Sequence, residues 1–128
     1  MKLILAIAAG GAVGALARHF AAAGVMALAG PGFPWGIFVV NVLGSALMGL
    51  LVEAFAFGTL VGAELRAFLT VGILGAFTTF STFSLDAVLL LQRGHTAQAL
   101  TYIGGSVVLS IAGLYLGMLI GRTLMAGG

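Results

Sequence analysis

The chain has 128 residues, of which 62% are hydrophobic and 6% are charged, and its mean hydropathy is +1.26. Charged residues make up about a quarter of an ordinary globular protein, so this composition excludes a water-soluble surface and indicates an integral membrane protein. The net charge of +2 is too small to favour nucleic-acid binding. The lack of cysteine excludes disulfide bonds, thiol catalysis and cysteine metal sites.

Four apolar segments are long enough to cross a bilayer, which takes about 20 residues. We predict an all-α protein with one domain, residues 1–128, whose spans cover residues 3–28, 36–57, 67–91 and 97–124. A turn rich in proline and glycine at 30–34, a link at 58–64 and a turn at 93–95 connect them. The first apolar run continues for a full span, so we expect a membrane helix there rather than a cleaved signal peptide.

Small residues recur at intervals of four in three of these spans. The positions are Gly10 and Gly14, Ser45 and Gly49, and Gly113, Gly117 and Gly121. Small faces let helix backbones approach closely, which is how membrane helices associate. Packing within one subunit and contact between two subunits both fit this pattern.

Positive charges are almost evenly divided between the two predicted sides of the membrane. Lys2, Arg66 and Arg122 lie on one side, and Arg18 and Arg93 on the other. Because the Lys/Arg asymmetry orients a membrane protein, this balance predicts insertion in both directions and an antiparallel, dual-topology homodimer. The alternative is that the single excess charge fixes one orientation. Arg18 lies past the middle of span 1, and we expect its side chain to extend to the nearer surface.

The third span contains an unusual segment, residues 72–84, which carries glycines, five hydroxyl side chains and three phenylalanines. It predicts that span 3 is interrupted in the middle of the membrane. Irregular backbone at that depth is tolerated only where protein covers it or where it lines a polar cavity, and the freed carbonyls are potential ion ligands. The alternative is a regular helix whose hydroxyls bond to carbonyls of their own helix.

Polar and aromatic side chains line predicted faces of the other spans as well. Asn41 lies deep in span 2, where its amide needs partners. Phe80 and Phe83 share a helix face, and an aromatic ring has a positive edge that can face an anion. Three hydroxyls at intervals of four follow one face of span 4, at Tyr102, Ser106 and Ser110. Together these residues predict a passage for a small hydrogen-bond acceptor, against the alternative of interhelical bonding and core packing.

Over essentially its whole length, the chain resembles the Fluc/CrcB family of fluoride channels. The resemblance rests on residues 10–18, residues 41–45, Gly75 with residues 78–84, and the hydroxyls of span 4. It implies an antiparallel dual-topology homodimer with two fluoride pores and a structural sodium ion at the dimer centre. It also implies that the backbone carbonyls of Gly75 and Thr78 hold sodium. The residues implied to line the pores are Asn41, Phe80, Phe83, Tyr102, Ser106 and Ser110.

Three positions depart from the pattern of the family. Ile37 stands where threonine is common, Ala76 where a second glycine is frequent, and Asp86 where glutamate is usual. We expect Ala76 to leave the sodium site little affected, because its carbonyl remains. Ile37 removes a possible hydroxyl and Asp86 shortens an acid, so we expect these two to affect conductance or entry.

The expected function is passive, selective fluoride efflux that protects a cell from fluoride toxicity. The expected location is the inner (plasma) membrane, as a multi-pass protein in contact with lipid, with fluoride and an inverted copy as its other partners. The sequence shows no pairing of a nucleophile with a base, so we do not expect an enzyme. The alternative is a small proton-coupled multidrug exporter of the four-helix inverted-dimer type, which needs a carboxylate deep in the bundle. Glu53 and Asp86 lie towards span ends. A scaffold protein without transport is a third possibility.

Overall fold

The computed structural model describes residues 1–58 and 62–127, and every regular element in these ranges is helical. Residues 59–61 of the predicted link and Gly128 lie outside the described residues. The third stretch able to cross a membrane covers Ala63–Gln92, and α1, α2 and α6 are the other three. The predictions of an all-α fold and of four membrane-capable segments are therefore confirmed. The elements are α1 (Lys2–Ala29), α2 (Trp35–Ala56), α3 (Ala63–Ala67), a π-helix (Phe68–Leu74), α4 (Gly75–Phe77), α5 (Phe80–Gln92) and α6 (Thr96–Ala126).

The turns between helices lie where glycine and proline predicted them. Helix α1 ends at Ala29 because Gly30 adopts a φ of +82°, which favours glycine. Pro34 then precedes the first residue of α2. Gly94, with a φ of +81°, makes the turn between α5 and α6. Glycine and proline therefore determine where these helices end, within a few residues of the predicted bounds.

Helices α2 and α6 pack backbone against backbone through glycine. A methyl group on Gly117 of α6 would contact the Ala46 carbonyl oxygen and would lie 3.0 Å from the carbonyl carbon of that residue. Gly49 of α2 faces the backbone of Leu114 in the same way. These glycines therefore serve packing within one chain, which was one of the two possibilities that the sequence left open.

Glycines also join α1 to the π-helix. A methyl group on Gly10 would lie only 2.5 Å from the carbonyl oxygen of Phe68, and one on Gly14 would contact the carbonyl oxygen of Ile73. Both glycines are buried. The π-helix is therefore held directly against the middle of α1, and its last residues, 72–74, belong to the segment in which the third span was predicted to break.

Aromatic side chains form the core at the end of the bundle where α1 meets α2 and α5 meets α6. Tyr102 is completely buried there. Its ring centroid lies 5.1 Å from that of Phe83 and 5.5 Å from that of Phe33, which it meets edge to face. Phe38 and Ile37 pack against the same cluster. This core fixes Phe83 of α5 relative to α2 and α6.

An ion pair joins α2 and α6 at the opposite end. Arg122 Nη2 lies 2.8 Å from Glu53 Oε1, and the Glu53 side chain is only 7% exposed, against 55% for Arg122. The arginine compensates the carboxylate and so allows its burial near the end of α2.

Candidate functional site

The third membrane-capable stretch is interrupted within its length. Thr78 (φ −84°, ψ 156°) and Thr79 (φ −152°, ψ 122°) are extended, so α4 ends at Phe77 and α5 begins at Phe80. The break falls inside the predicted segment 72–84. Helical hydrogen bonding cannot continue through two extended residues, so their neighbours need other partners.

Several backbone carbonyls at the break lose the donors that an α-helix would supply, among them those of Gly75 and Thr78. The Thr79 N–H donates to Asn41 Oδ1 at 2.8 Å instead of to Gly75 O, four residues earlier. The Thr82 N–H donates to Thr79 Oγ1 at 3.2 Å instead of to Thr78 O, and so caps α5. The oxygens of Gly75 and Thr78 are thereby left available to another ligand. These are the two carbonyls that the sequence resemblance assigned to sodium.

Asn41 binds the break like the edge of a neighbouring strand. Its Nδ2 donates to the Thr79 carbonyl oxygen at 3.0 Å, while its Oδ1 accepts from the Thr79 N–H. One side chain thus satisfies both backbone groups of one extended residue. A primary amide has two N–H donors, so the second remains for the space beside it.

Arg18 of α1 binds the break from another direction. Its Nη1 donates to the carbonyl oxygen of Ala76 at 3.0 Å. In a continuous helix this oxygen would accept from the N–H of Phe80. We expected Arg18 to extend to the membrane surface, and that prediction is wrong because a freed carbonyl lies within reach. The carbonyl of Ala76, expected to stay available, is the one that Arg18 occupies.

A cavity of about 300 Å³, here called the central cavity, lies beside the break. Five of the six predicted pore residues line it, namely Asn41, Phe80, Phe83, Ser106 and Ser110. Ser45, Thr78 and Thr79 add further polar groups. Among the described residues, Ser106 Oγ stands out as a buried side-chain atom without a hydrogen-bond partner. A buried hydroxyl without a protein partner is costly, so we expect a water molecule or a ligand in the cavity to bond to this atom.

The two phenylalanines differ in exposure although they lie close together. Phe80 is 78% exposed in the single chain and Phe83 is 8% exposed, with ring centroids 5.6 Å apart and planes at 49°. Tyr102, the sixth predicted pore residue, lies in the aromatic core. Its hydroxyl donates to Asp86 Oδ2 at 3.2 Å. The predicted track is thus divided, with two serines on the central cavity and the tyrosine paired with an acid.

A second cavity of about 410 Å³, here called the outer cavity, lies between α1, α2 and α5. Arg18, Ile37, Thr82 and Asp86 line it, together with His19 and Met26. Thr79 of the central cavity donates through Oγ1 to Thr82 Oγ1 at 3.2 Å, so a pair of hydroxyls separates the two cavities. Sequence reasoning missed this pair. The N-cap preference of threonine ahead of a helix was the signal that could have found it.

The described residues contain no cluster of His, Cys, Asp or Glu that could hold a metal ion. A cation at this site would therefore depend on backbone and hydroxyl oxygens. Such neutral donors suit a hard monovalent ion, which needs oxygen ligands but little charge compensation.

Comparison with known proteins agrees with the resemblance seen in the sequence. Residues 5–118 match the family model described as "CrcB-like protein, Camphor Resistance (CrcB)". A protein of Agrobacterium fabrum named "Fluoride-specific ion channel FluC" is 49% identical to this chain over 121 residues, which cover 94% of this chain and 97% of the relative. The corresponding protein of Rhodospirillum centenum is 48% identical over 126 residues, or 98% and 100% of the two chains. That of Cereibacter sphaeroides is 51% identical over 123 residues, or 96% and 97%. The predicted family is confirmed, and the chain belongs to the CrcB family.

Proposed function

We propose that this protein is a fluoride channel that lets the ion leave the cell passively and so limits fluoride toxicity. Relatives named as fluoride-specific ion channels are about half identical to this chain over nearly its full length. The observation that carries the proposal is the buried, unpartnered Ser106 hydroxyl in a cavity shared with Asn41. A dehydrated anion would supply the acceptor that this hydroxyl lacks.

The lining of the central cavity suits a small anion that must also be released. Fluoride is strongly hydrated, so a pore has to replace its water with donors, and amide and hydroxyl groups do so without a fixed charge. The ring edges of Phe80 and Phe83 carry partial positive charge. The N-terminus of α5 begins at Phe80, and a helix N-terminus favours anions. All four contributions come from neutral groups, which supports fast release over tight binding.

The sodium site remains part of this proposal. The carbonyls of Gly75 and Thr78 would hold the ion, two from each of two inverted chains. Support comes from their lost α-helical donors, which leave neutral oxygens with free lone pairs at the break. A bound cation would supply positive charge there and would stabilise the assembled protein by mass action.

The antiparallel homodimer in the inner membrane, with the span 3 break at mid-membrane depth, is proposed on two grounds. The Lys/Arg balance gives little orienting bias. Phe80 is also 78% exposed at the edge of the central cavity, where a second chain could complete the wall.

Two lysines added beside Lys2 should orient most copies one way and abolish fluoride resistance in cells. Co-expression with a variant carrying extra lysines beside Arg93 should restore it. Full protection by the first variant alone would contradict the inverted dimer.

The exporter alternative finds less support in the structure. It requires a free carboxylate that exchanges protons with a cationic drug. Glu53 is paired with Arg122, and Asp86 accepts a hydrogen bond from Tyr102. Both candidate acids are therefore already engaged, and neither lines the central cavity.

Fluoride efflux from liposomes that contain the purified protein tests the proposal. We expect efflux without a proton gradient, and we expect Ser106→Ala to slow it about tenfold, since a hydrogen bond to an ion contributes roughly 1.5 kcal/mol or more. Thr101→Val is the matched control on the same helix, because the Thr101 hydroxyl is exposed and bonds to its own helix at Ala97 O. Equal efflux from both variants would remove Ser106 from the pathway. Efflux that requires a proton gradient would favour the exporter.

A further inference from the structure

We infer that Arg18 is a positioning residue for the cation site at the break. Its guanidinium holds the carbonyl of Ala76 and thereby keeps the neighbouring carbonyls of Gly75 and Thr78 available to a monovalent cation. This inference rests on the proposed function, because the proposed sodium site gives those carbonyls their role.

The hydrogen bond of Arg18 replaces one that the helix has lost. Ala76 lies between the two proposed cation ligands, and its oxygen accepts from Arg18 Nη1 at 3.0 Å. A bond from a charged donor is stronger than one between neutral groups. The planar guanidinium also directs its donors rigidly, which an ammonium group does not. Arg18 therefore stabilises the broken conformation against closure into a continuous helix.

The base from which Arg18 extends is itself fixed on the third span. Gly14 lies one helical turn before Arg18 and packs without a gap against the backbone of Ile73. Residues four apart lie on the same face of a helix. The arginine therefore emerges on the side of α1 that contacts the third span, close to the break. The rigid backbone contact between Gly14 and Ile73 therefore sets the position of Arg18 relative to Ala76.

The break is thus held by side chains from two different helices. Arg18 of α1 holds Ala76, and Asn41 of α2 holds both backbone groups of Thr79. The carbonyls proposed as cation ligands, those of Gly75 and Thr78, each lie one residue before a held residue. Because both held residues are restrained from outside the third span, the free oxygens keep their geometry even when no ion is bound.

The sign of the effect separates positioning from simple charge. Arg18 carries a positive charge near a proposed cation site, and like charges repel. If Arg18 acted only through its charge, its removal would strengthen cation binding. If it acts by positioning the carbonyls, its removal weakens cation binding despite the relief of repulsion. A merely structural role would lower stability equally with and without sodium.

The test is the sodium dependence of the melting temperature of the purified full-length protein, with a large organic cation as the replacement ion. We expect Arg18→Gln to raise the sodium concentration for half-maximal stabilisation by about tenfold or more, the scale of a lost charge-assisted hydrogen bond. The sodium concentration for half-maximal stabilisation of Arg18→Lys should fall between those of the unmutated protein and Arg18→Gln. Arg93→Gln is the matched control, because it removes the same charge from the same predicted side and does not touch the break.

An unchanged or lower sodium midpoint in Arg18→Gln would overturn the inference. A fall in melting temperature that is the same at every sodium concentration would also overturn it. If Arg18→Gln does not fold, a sodium midpoint of Arg18→Lys equal to that of the unmutated protein would overturn the inference. Unmutated protein without any sodium-dependent stabilisation would remove both the cation site and this role of Arg18. Fluoride efflux from the same preparation would then decide separately whether the channel function stands.

Discussion

Replacing Gly117 by alanine should force α2 and α6 apart. The new methyl group would contact the Ala46 carbonyl oxygen, and would lie 3.0 Å from its carbonyl carbon and 3.1 Å from the amide nitrogen of Leu50. Carbon atoms that are not bonded to each other prefer separations of about 3.5 Å or more, so the helices would have to separate by at least about 0.5 Å. All three close atoms belong to backbone, which cannot rotate away as a side chain can.

The cost can be isolated by comparison with Gly104 of the same helix. A methyl group on Gly104 would meet nothing within 4 Å in the chain. Alanine gains up to about 1 kcal/mol over glycine in a helix at either position, so this gain cancels between the two variants. What remains is the steric cost at Gly117, about 1–3 kcal/mol for an overpacked interior.

The assay is unfolding of both purified variants in the same detergent, followed by fluoride efflux from liposomes. We expect Gly117→Ala to be less stable than Gly104→Ala by the steric cost. We also expect altered efflux, because Asn41 of α2 and Ser106 of α6 both line the central cavity. Equal stability of the two variants would refute the argument that the α2–α6 contact leaves no room for a methyl group.

Three further substitutions probe the site and its support. Asn41→Asp should nearly abolish fluoride efflux while the proposed dimer stays assembled, because a carboxylate repels the anion and cannot donate to the carbonyl of Thr79. Efflux close to that of the unmutated protein would remove Asn41 from the pathway. Phe83→Ile should lower conduction more than the melting temperature, since it keeps apolar bulk and removes the ring edge; a lower melting temperature with unchanged conduction would make Phe83 a packing residue only. Arg122→Gln should reduce the free energy of unfolding more than Glu53→Gln does, because only the first leaves a buried charge unpaired. Denaturant unfolding that gives the opposite order would show that Glu53 is solvated.

Local sequence patterns predicted a large part of the fold. Glycine and proline mark the turns because they constrain φ or remove a donor, and the predicted spans agree with the helices to within a few residues. The crowding of hydroxyls and glycines at 72–84 located the break for a related reason. Threonine and serine bond to nearby backbone and compete with the helix, as Thr79 does when it caps α5.

Contacts between distant residues could not be predicted in the same way. Arg18 and Ala76 are 58 residues apart, and Asn41 and Thr79 are 38 apart, so these bonds exist only once three helices have packed. We predicted a surface position for the Arg18 side chain because an arginine in a membrane helix normally extends its charge to water. The sequence alone does not show that a backbone carbonyl on another span has lost its donor.

The ion pair between Glu53 and Arg122 could not be predicted for a similar reason. A carboxylate near the end of a span is normally solvated, and only the presence of Arg122 on α6 makes its burial tolerable. The assignment of Gly117 to an internal contact likewise required the position of Ala46 on the neighbouring helix. Spacing shows that a helix face is small, but it does not identify the surface that covers the face.

Electrical recording in a planar bilayer tests the central claim most directly. With unequal fluoride and equal chloride on the two sides, the purified protein should carry a current whose reversal potential follows the fluoride gradient. The current should persist without a pH difference, because no proton is exchanged. A folded, assembled protein that carries no current, or one whose reversal potential follows chloride when the gradients are exchanged, would contradict the account.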